Sequence, residues 1–359
     1  MKSKKLWSLT TLMLVGIMVL AACGGGAATA EPEEDFKFTL ITPNPLGDRS
    51  FIDASARGVE MANEELGLNG QIIETISSAE QEAAMRAALA EGNDLILALA
   101  PDAPIMLAIA EENPDQKFGV PSDIFVESLP DNVSAFQVNV HEGSYLVGLV
   151  AGMMTDTGTV GAVVGGDGPG LNQFFWAYKQ GVLDACPECE VLVGYLSFDF
   201  ANPTLGKETA IAQYEQGADI IFQVAGRSGE GVLSAAAETG NYAIGVDSDQ
   251  DWIEPGNIIT SMIKKVDIST FLLVKNTLEG AFKGGFSQIN MADGATGLSW
   301  DDGSTEFEDN GPADMVAKLA DVKAAVEAAR AKILSGELEV CDALNDAEAG
   351  VCAGLAAGE

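Results

Sequence analysis

The chain has 359 residues, 47% of them hydrophobic and only 7% aromatic, with 54 acidic against 19 basic side chains and a formal charge of −35. Phosphate backbones and anionic headgroups are bound by basic surfaces, so this balance argues against nucleic acid as a partner. The acidity is read as solubility or adaptation to salt, not as the mark of a cationic ligand.

At the N-terminus Lys2, Lys4 and Lys5 precede an apolar run from Leu6 to Ala22, the layout of a secretory signal. Leu20-Ala21-Ala22-Cys23 resembles the lipobox of bacterial lipoproteins, which implies cleavage before Cys23 and acylation of that cysteine. The alternative is an uncleaved anchor, because the run approaches the length of a short spanning helix. Gly24-Gly25-Gly26 and the polar Glu31-Pro32-Glu33-Glu34-Asp35 favour a cleavage site followed by a tether. Residues 1–22 are thus expected to be a signal peptide and 23–35 a flexible tether. Loss of the three lysines takes the formal charge to −38, and the mature chain is expected outside the cytoplasm, lipid-anchored to the cell membrane.

Beyond the tether, short apolar runs alternate with amphipathic stretches. Strands are predicted at 36–42, 71–76 and 94–98, each followed by a helix, at 51–66, 79–90 and 104–112. A second series has strands at 159–164, 191–197, 219–224 and 242–246, with helices near 173–184, 205–216 and 229–239. Such alternation predicts parallel sheets with crossover helices, hence an α/β protein of two doubly wound lobes with a ligand cleft between them. A last helix is predicted over 313–334, stopped by Gly336, and 337–359 reads as a polar tail of small residues.

Four cysteines follow Cys23 as two close pairs, Cys186/Cys189 and Cys341/Cys352, and in an exported chain disulfides within each pair are the natural reading. Cys186-Pro187-Glu188-Cys189 also has the spacing of a redox or metal CxxC, but no second ligand pair accompanies it. The single histidine, His141, stands at a predicted helix start, where a capping or surface role is expected. No metal site or cofactor is predicted.

Four segments carry a family resemblance: Gly47-Asp48-Arg49-Ser50-Phe51, the stretch from Glu142 to Gly152, Gly245-Val246-Asp247-Ser248-Asp249-Gln250, and the stretch from Thr260 to Asp267. In this order they resemble the basic membrane lipoprotein family of ABC-transporter substrate-binding proteins, whose best-understood branch binds purine nucleosides. The resemblance implies a type I periplasmic-binding fold, with lobe one at 36–138 plus 266–300 and lobe two at 139–265 plus 301–336. It also implies partners: a small-molecule ligand, an ABC permease and its ATPase.

A nucleoside presents a flat base and a ribose with vicinal hydroxyls, which suit aromatic faces and paired charges respectively. Phe51, at the start of the first helix, matches the family's base-stacking aromatic; by composition alone it would be a core residue. Phe198 and Phe200 both follow a strand of lobe two, and spacing does not choose between them as the opposing ring. Phe174, Phe175 and Trp176 lie on a helix and are expected in the core. Asp247 and Lys264 are expected to hold the ribose together, with Gly226 permitting close backbone approach and Asn44 and Asp123 reading the base edges. Asp48 joins them as a further ligand-binding candidate. Departures from the family pattern are Pro121 before Asp123, Arg227 beside Gly226, and Ile52 where many relatives carry asparagine.

The chain is expected to be a binding protein and not an enzyme, since it has no nucleophile elbow, zinc-protease motif or phosphate loop. A carboxylate pair drawn from Asp48, Asp53, Asp247 and Asp249 leaves a nucleosidase as the alternative. A sensory receptor using the same closure is a third reading.

Overall fold

The computed structural model describes residues 36–346 and 348–356; the signal, the tether and Cys23 lie outside the described residues. Two six-stranded sheets form the framework. In the first lobe β1 (Phe38–Thr42), α1 (Phe51–Leu66), β2 (Gln71–Glu74), α2 (Ser78–Ala90), β3 (Leu95–Ala98), α3 (Ala103–Glu112), β4 (Lys117–Val120) and β5 (Val133–Val138) alternate. The chain then crosses over into α4 (Val140–Met154), β6 (Thr159–Val164), α5 (Pro169–Ala185), β7 (Glu190–Tyr195) and α6 (Pro203–Glu215). The second lobe continues with β8 (Ile220–Val224), α7 (Gly229–Thr239), β9 (Tyr242–Asp247) and β10 (Ile258–Lys264). A second crossing leads back to α8 (Val266–Leu278) and β11 (Gly285–Ile289), and a third returns to β12 (Thr296–Leu298), α9 (Glu306–Asn310), α10 (Ala313–Ser335) and α11 (Gly350–Ala356).

The strand orders are β11-β5-β4-β3-β1-β2 and β12-β10-β9-β8-β6-β7, parallel throughout except for β12 against β10. Central strands such as β1, β3 and β8 are buried along their whole length, as parallel strands covered on both faces must be, and they read as mostly apolar runs. Helix starts follow local chemistry. Asp102 caps α3 by accepting from the Ile105 amide, Asn202 caps α6 by accepting from the Leu205 amide, and Pro occupies the first turn of both.

Three differences from the sequence reading stand out. The boundary expected at residue 300 moves: β12 pairs with β10, so 296–300 belongs with the second sheet and the third crossing lies between Ile289 and Thr296. A three-residue strand has no periodicity to announce it. His141 is buried, not a surface cap; its Nδ1 lies 3.1 Å from Gln173 Nε2, and burial lowers its pKa. The tail docks on lobe two, where Cys341 N–H donates to Gln180 Oε1 and Asp342 accepts from Gln173. The disulfides are Cys341–Cys352, which clips this tail, and Cys186–Cys189, which closes the turn after α5.

α4 is buried almost all round, as a helix without a polar face has to be. It meets α5 through facing glycines: a Cβ on Gly181 would lie 2.1 Å from Tyr145 O, and one on Gly148 would lie 2.2 Å from Tyr178 O. This contact fixes α5, whose first turns line the cleft. Gly181→Val should therefore destabilise the protein by at least about 1–3 kcal/mol, the range for overpacking. Urea unfolding checks this, and an unchanged midpoint would contradict the close approach of the two helices.

Candidate functional site

A cavity of about 440 Å³ lies between the lobes at the carboxyl ends of the strands, where open α/β sheets bind ligands. Lobe one contributes the turn after β1, the first turn of α1, and the residues after β3 and β4; lobe two contributes the corresponding ends of β6 to β10. All nine ligand-binding candidates from the sequence line it: Asn44, Asp48, Phe51 and Asp123 from lobe one, and Phe198, Phe200, Gly226, Asp247 and Lys264 from lobe two.

Their roles differ from one another. Asp48 is 3% exposed, and its carboxylate accepts from the amides of Ser50, Ile52 and Asp53 at 2.9–3.0 Å, so it holds the start of α1. Burial raises its pKa despite these three bonds. Phe51 is thereby set at the mouth of α1 with its ring toward the cavity. Phe198 and Phe200 both face the cavity, which explains why spacing did not separate them. Phe198 covers Gly166 and Gly168, while Phe200 lies over Gly165 and 3.6 Å from the position of a Cβ on Gly226. Gly226 has φ +54°, which glycine adopts without strain.

Asp247 and Lys264, the pair expected to hold the ribose, each make a separate contact across the cleft. Lys264 Nζ donates to Asp123 Oδ1 and Oδ2 at 3.0 and 3.1 Å, and Asp247 Oδ2 accepts from Ser50 Oγ at 2.6 Å. The side chain of Lys264 leaves β10 beside the crossing to α8 and reaches the opposite lobe, so the nearest carboxylate oxygens along its direction belong to Asp123. Its ammonium also lies 4.8 Å from the ring centroid of Phe51 and 5.5 Å from that of Phe174. Phe174 therefore lines the cavity and is not only a core residue, as its helical position suggested. Phe125, two residues after Asp123, also lines the cavity and was missed; an aromatic so close to a candidate carboxylate was the available signal.

The lobes also meet outside the cavity. Arg57 donates to Ser248 Oγ at 2.9 Å, Gln250 Nε2 donates to Arg49 O at 3.2 Å, and Arg49 lies 3.8 Å from Glu230 and over the Trp252 ring. Backbone strain gathers at the same place. All six non-glycine residues with positive φ among the described residues, Arg49, Ala100, Asp123, Ser197, Phe198 and Asp247, line the cavity or adjoin a residue that does. Such conformations are uncommon outside glycine and accumulate at functional sites. Arg227 lines the cavity without a hydrogen-bond or ion-pair partner among the described residues.

Residues 36–334 match the family described as ABC transporter substrate-binding protein PnrA-like. The chain belongs to this family, Bmp. The CD4+ T-cell-stimulating antigen of Listeria innocua is 29% identical over 94% of this chain and 98% of its own length. Basic membrane protein D of Borreliella burgdorferi is 33% identical over 69% of this chain and 73% of its own. The crystal structure of an ABC transporter solute-binding protein from Aeropyrum pernix K1 is 28% identical, with a TM-score of 0.74 over 85% of this chain and 92% of that one. The two parallel-sheet lobes are those of the type I periplasmic-binding fold, and this Bmp chain is a substrate-binding protein of the ABC-transporter type.

Two buried carboxyls make stability depend on pH. Burial pushes Asp247 up to about 6 against the pull of Lys264 and Ser50, and pushes Asp251 up to about 6 against hydrogen bonds from Ser299, Ser261 and Ser304. Both bind a proton more tightly folded than unfolded, where the ordinary value is 3.8. The resulting stabilisation is full below the unfolded value and lost as pH rises through the folded one. The unfolding midpoint should rise between about pH 7 and about pH 5, and Asp251→Asn should flatten that rise. An identical pH profile in the variant would show that Asp251 titrates in the ordinary range.

Proposed function

We propose that the protein is the lipid-anchored, extracytoplasmic receptor of an ABC importer and binds a purine nucleoside by closure of its two lobes. The observation that carries this reading is the composition of the cavity: Phe51 from one lobe and Phe198 and Phe200 from the other line it together with Asp123, Asp247 and Lys264. A purine base stacks between the rings. Asp123 and Asn44 accept and donate at its edges, and the ribose hydroxyls take up Asp247 and Lys264 while the backbone at Gly226 approaches closely. A carboxylate accepts two hydroxyls and an ammonium donates to a third, which offsets the burial of both charges. Because the groups come from both lobes, the ligand stabilises the closed arrangement alone.

The anchor rests on Leu20-Ala21-Ala22-Cys23. Among the described residues no helix is long and apolar enough to cross a membrane. Dual acylation at Cys23 supplies the attachment that a single chain gives only marginally, so Cys23→Ala should yield unprocessed or unlipidated protein.

Arg227 supports a second reading, in which the ligand is a different or more polar one, such as riboflavin, a sugar or another nucleoside. Calorimetry with inosine, guanosine, adenosine, a pyrimidine nucleoside, riboflavin and simple sugars separates the two. Purine nucleosides should bind; if only a sugar or a flavin does, the ligand assignment fails while the family stands. Phe51→Ala should weaken all purine nucleosides alike, by about 1–3 kcal/mol, because a π-face does not read base edges. Asp247→Ala should remove the preference for ribosides over free bases, at about 1.5–3 kcal/mol for each charged hydrogen bond lost. Affinity for ribosides should also fall as pH drops through about 6, where Asp247 takes up a proton. Release of free base from inosine with sustained turnover would instead make the protein a hydrolase.

A further inference from the structure

Five phenylalanines line the cavity, and they are not equally covered. Phe174 is 5% exposed, whereas Phe125 is 48% and Phe198 57% exposed. A lone exposed aromatic needs no explanation, but these two rings lie on the same short turn, Gly168-Pro169-Gly170, and come from opposite lobes. Phe198 covers the Gly168 side, 3.3 Å from the position of a Cβ there. Phe125 covers the Gly170 side: a Cβ on Gly170 would lie 2.2 Å from Phe125 Cζ and 2.8–2.9 Å from its Cε atoms. The ring of Phe125 therefore stands end-on against the backbone of Gly170, and only glycine leaves it room.

Both partners are held firmly. Pro169 fixes the first turn of α5. On the lobe-one side Ile124 is 1% exposed, and the Ala100 amide donates to Ser122 O at 3.1 Å, so the short segment bearing Phe125 is anchored on both sides of Asp123. Asp123 itself has φ +66° and binds Lys264 at the cavity floor. One short segment thus carries a charged group at the floor and an aromatic ring at the mouth.

We propose that Phe125 is the gate of this site: it crosses the cleft mouth to seat on Gly170 when the lobes close, and it sets how fast the ligand leaves. This rests on the cleft being the ligand site, as proposed above. The contact joins the two lobes, so it exists only in the closed arrangement and should act on dissociation far more than on association.

The test is a double-mutant cycle on the full chain, with inosine as probe and stopped-flow release as readout. Phe125→Ala should speed release about tenfold while leaving the association rate within about threefold. Gly170→Val places a branched side chain where the ring sits and should weaken binding by about tenfold or more. In the Phe125→Ala background the same valine should change affinity less than about twofold, because the ring it clashes with is gone. Equal effects of valine in both backgrounds, or release unaltered by Phe125→Ala, would overturn the gate. If the wild-type chain binds no inosine, the ligand reading fails and cross-linking of a Phe125→Cys/Gly170→Cys variant with a short bis-maleimide decides the gate separately. The two cysteines should be joined, because the linker traps each closure, and cysteines that stay unjoined would refute it.

Discussion

An ammonium that is 3% exposed has to be neutralised where it lies, and the organisation of this cleft follows from that requirement at Lys264. Lys264 ends β10 one residue before the chain crosses back to lobe one, so its backbone is fixed at the hinge. Its carboxylate partner, Asp123, belongs to the opposite lobe, and two phenylalanine rings flank the charge. Neutralisation is therefore complete only when the lobes are together. A ligand that occupies the cleft must return to Lys264 and Asp123 what it takes from their ion pair.

The same logic places Asp247. Its neighbours Ser50, Lys264, Asp48 and Asp123 comprise one hydroxyl, one cation and two further carboxylates, and burial leaves its carboxyl holding a proton up to about 6. Asp48, Asp123 and Asp247 line the cavity with Lys264 and Arg227, so its carboxylates outnumber its cations. Asp48 is held by the amides of α1. Asp123 and Asp247 are not held by backbone amides in this way; they meet Lys264 and Ser50 across the cleft. The left-handed conformations at both residues aim their carboxylates from the strand ends into the cavity, a strain that the anchored loops around them sustain.

Much of this was legible in the sequence. α1, β6 and α7 fall at the residues that periodicity and the turn signals predicted, because long amphipathic helices and unbroken apolar strands leave strong patterns. The cleft candidates were found because the family resemblance singled out positions near the ends of predicted strands; by composition alone Phe51 would have read as core. What sequence could not supply was direction across space. Asp247 and Lys264 are both lobe-two residues, and the carboxylate facing the ammonium is nonetheless Asp123, 141 positions away from it. Phe174 looked like core because a helical position does not say which end of the helix meets the cavity. His141 lacked its context because Gln173 and Asp342, which bury it, come from α5 and the docked tail. β12 is too short for any pattern.

The proposed purine nucleoside can be sought by native mass spectrometry of the protein purified with nothing added. A bound small molecule is expected that, once released, has the ultraviolet spectrum of a purine and fragments with loss of a pentose. A released hexose, flavin or other compound with neither property would contradict it.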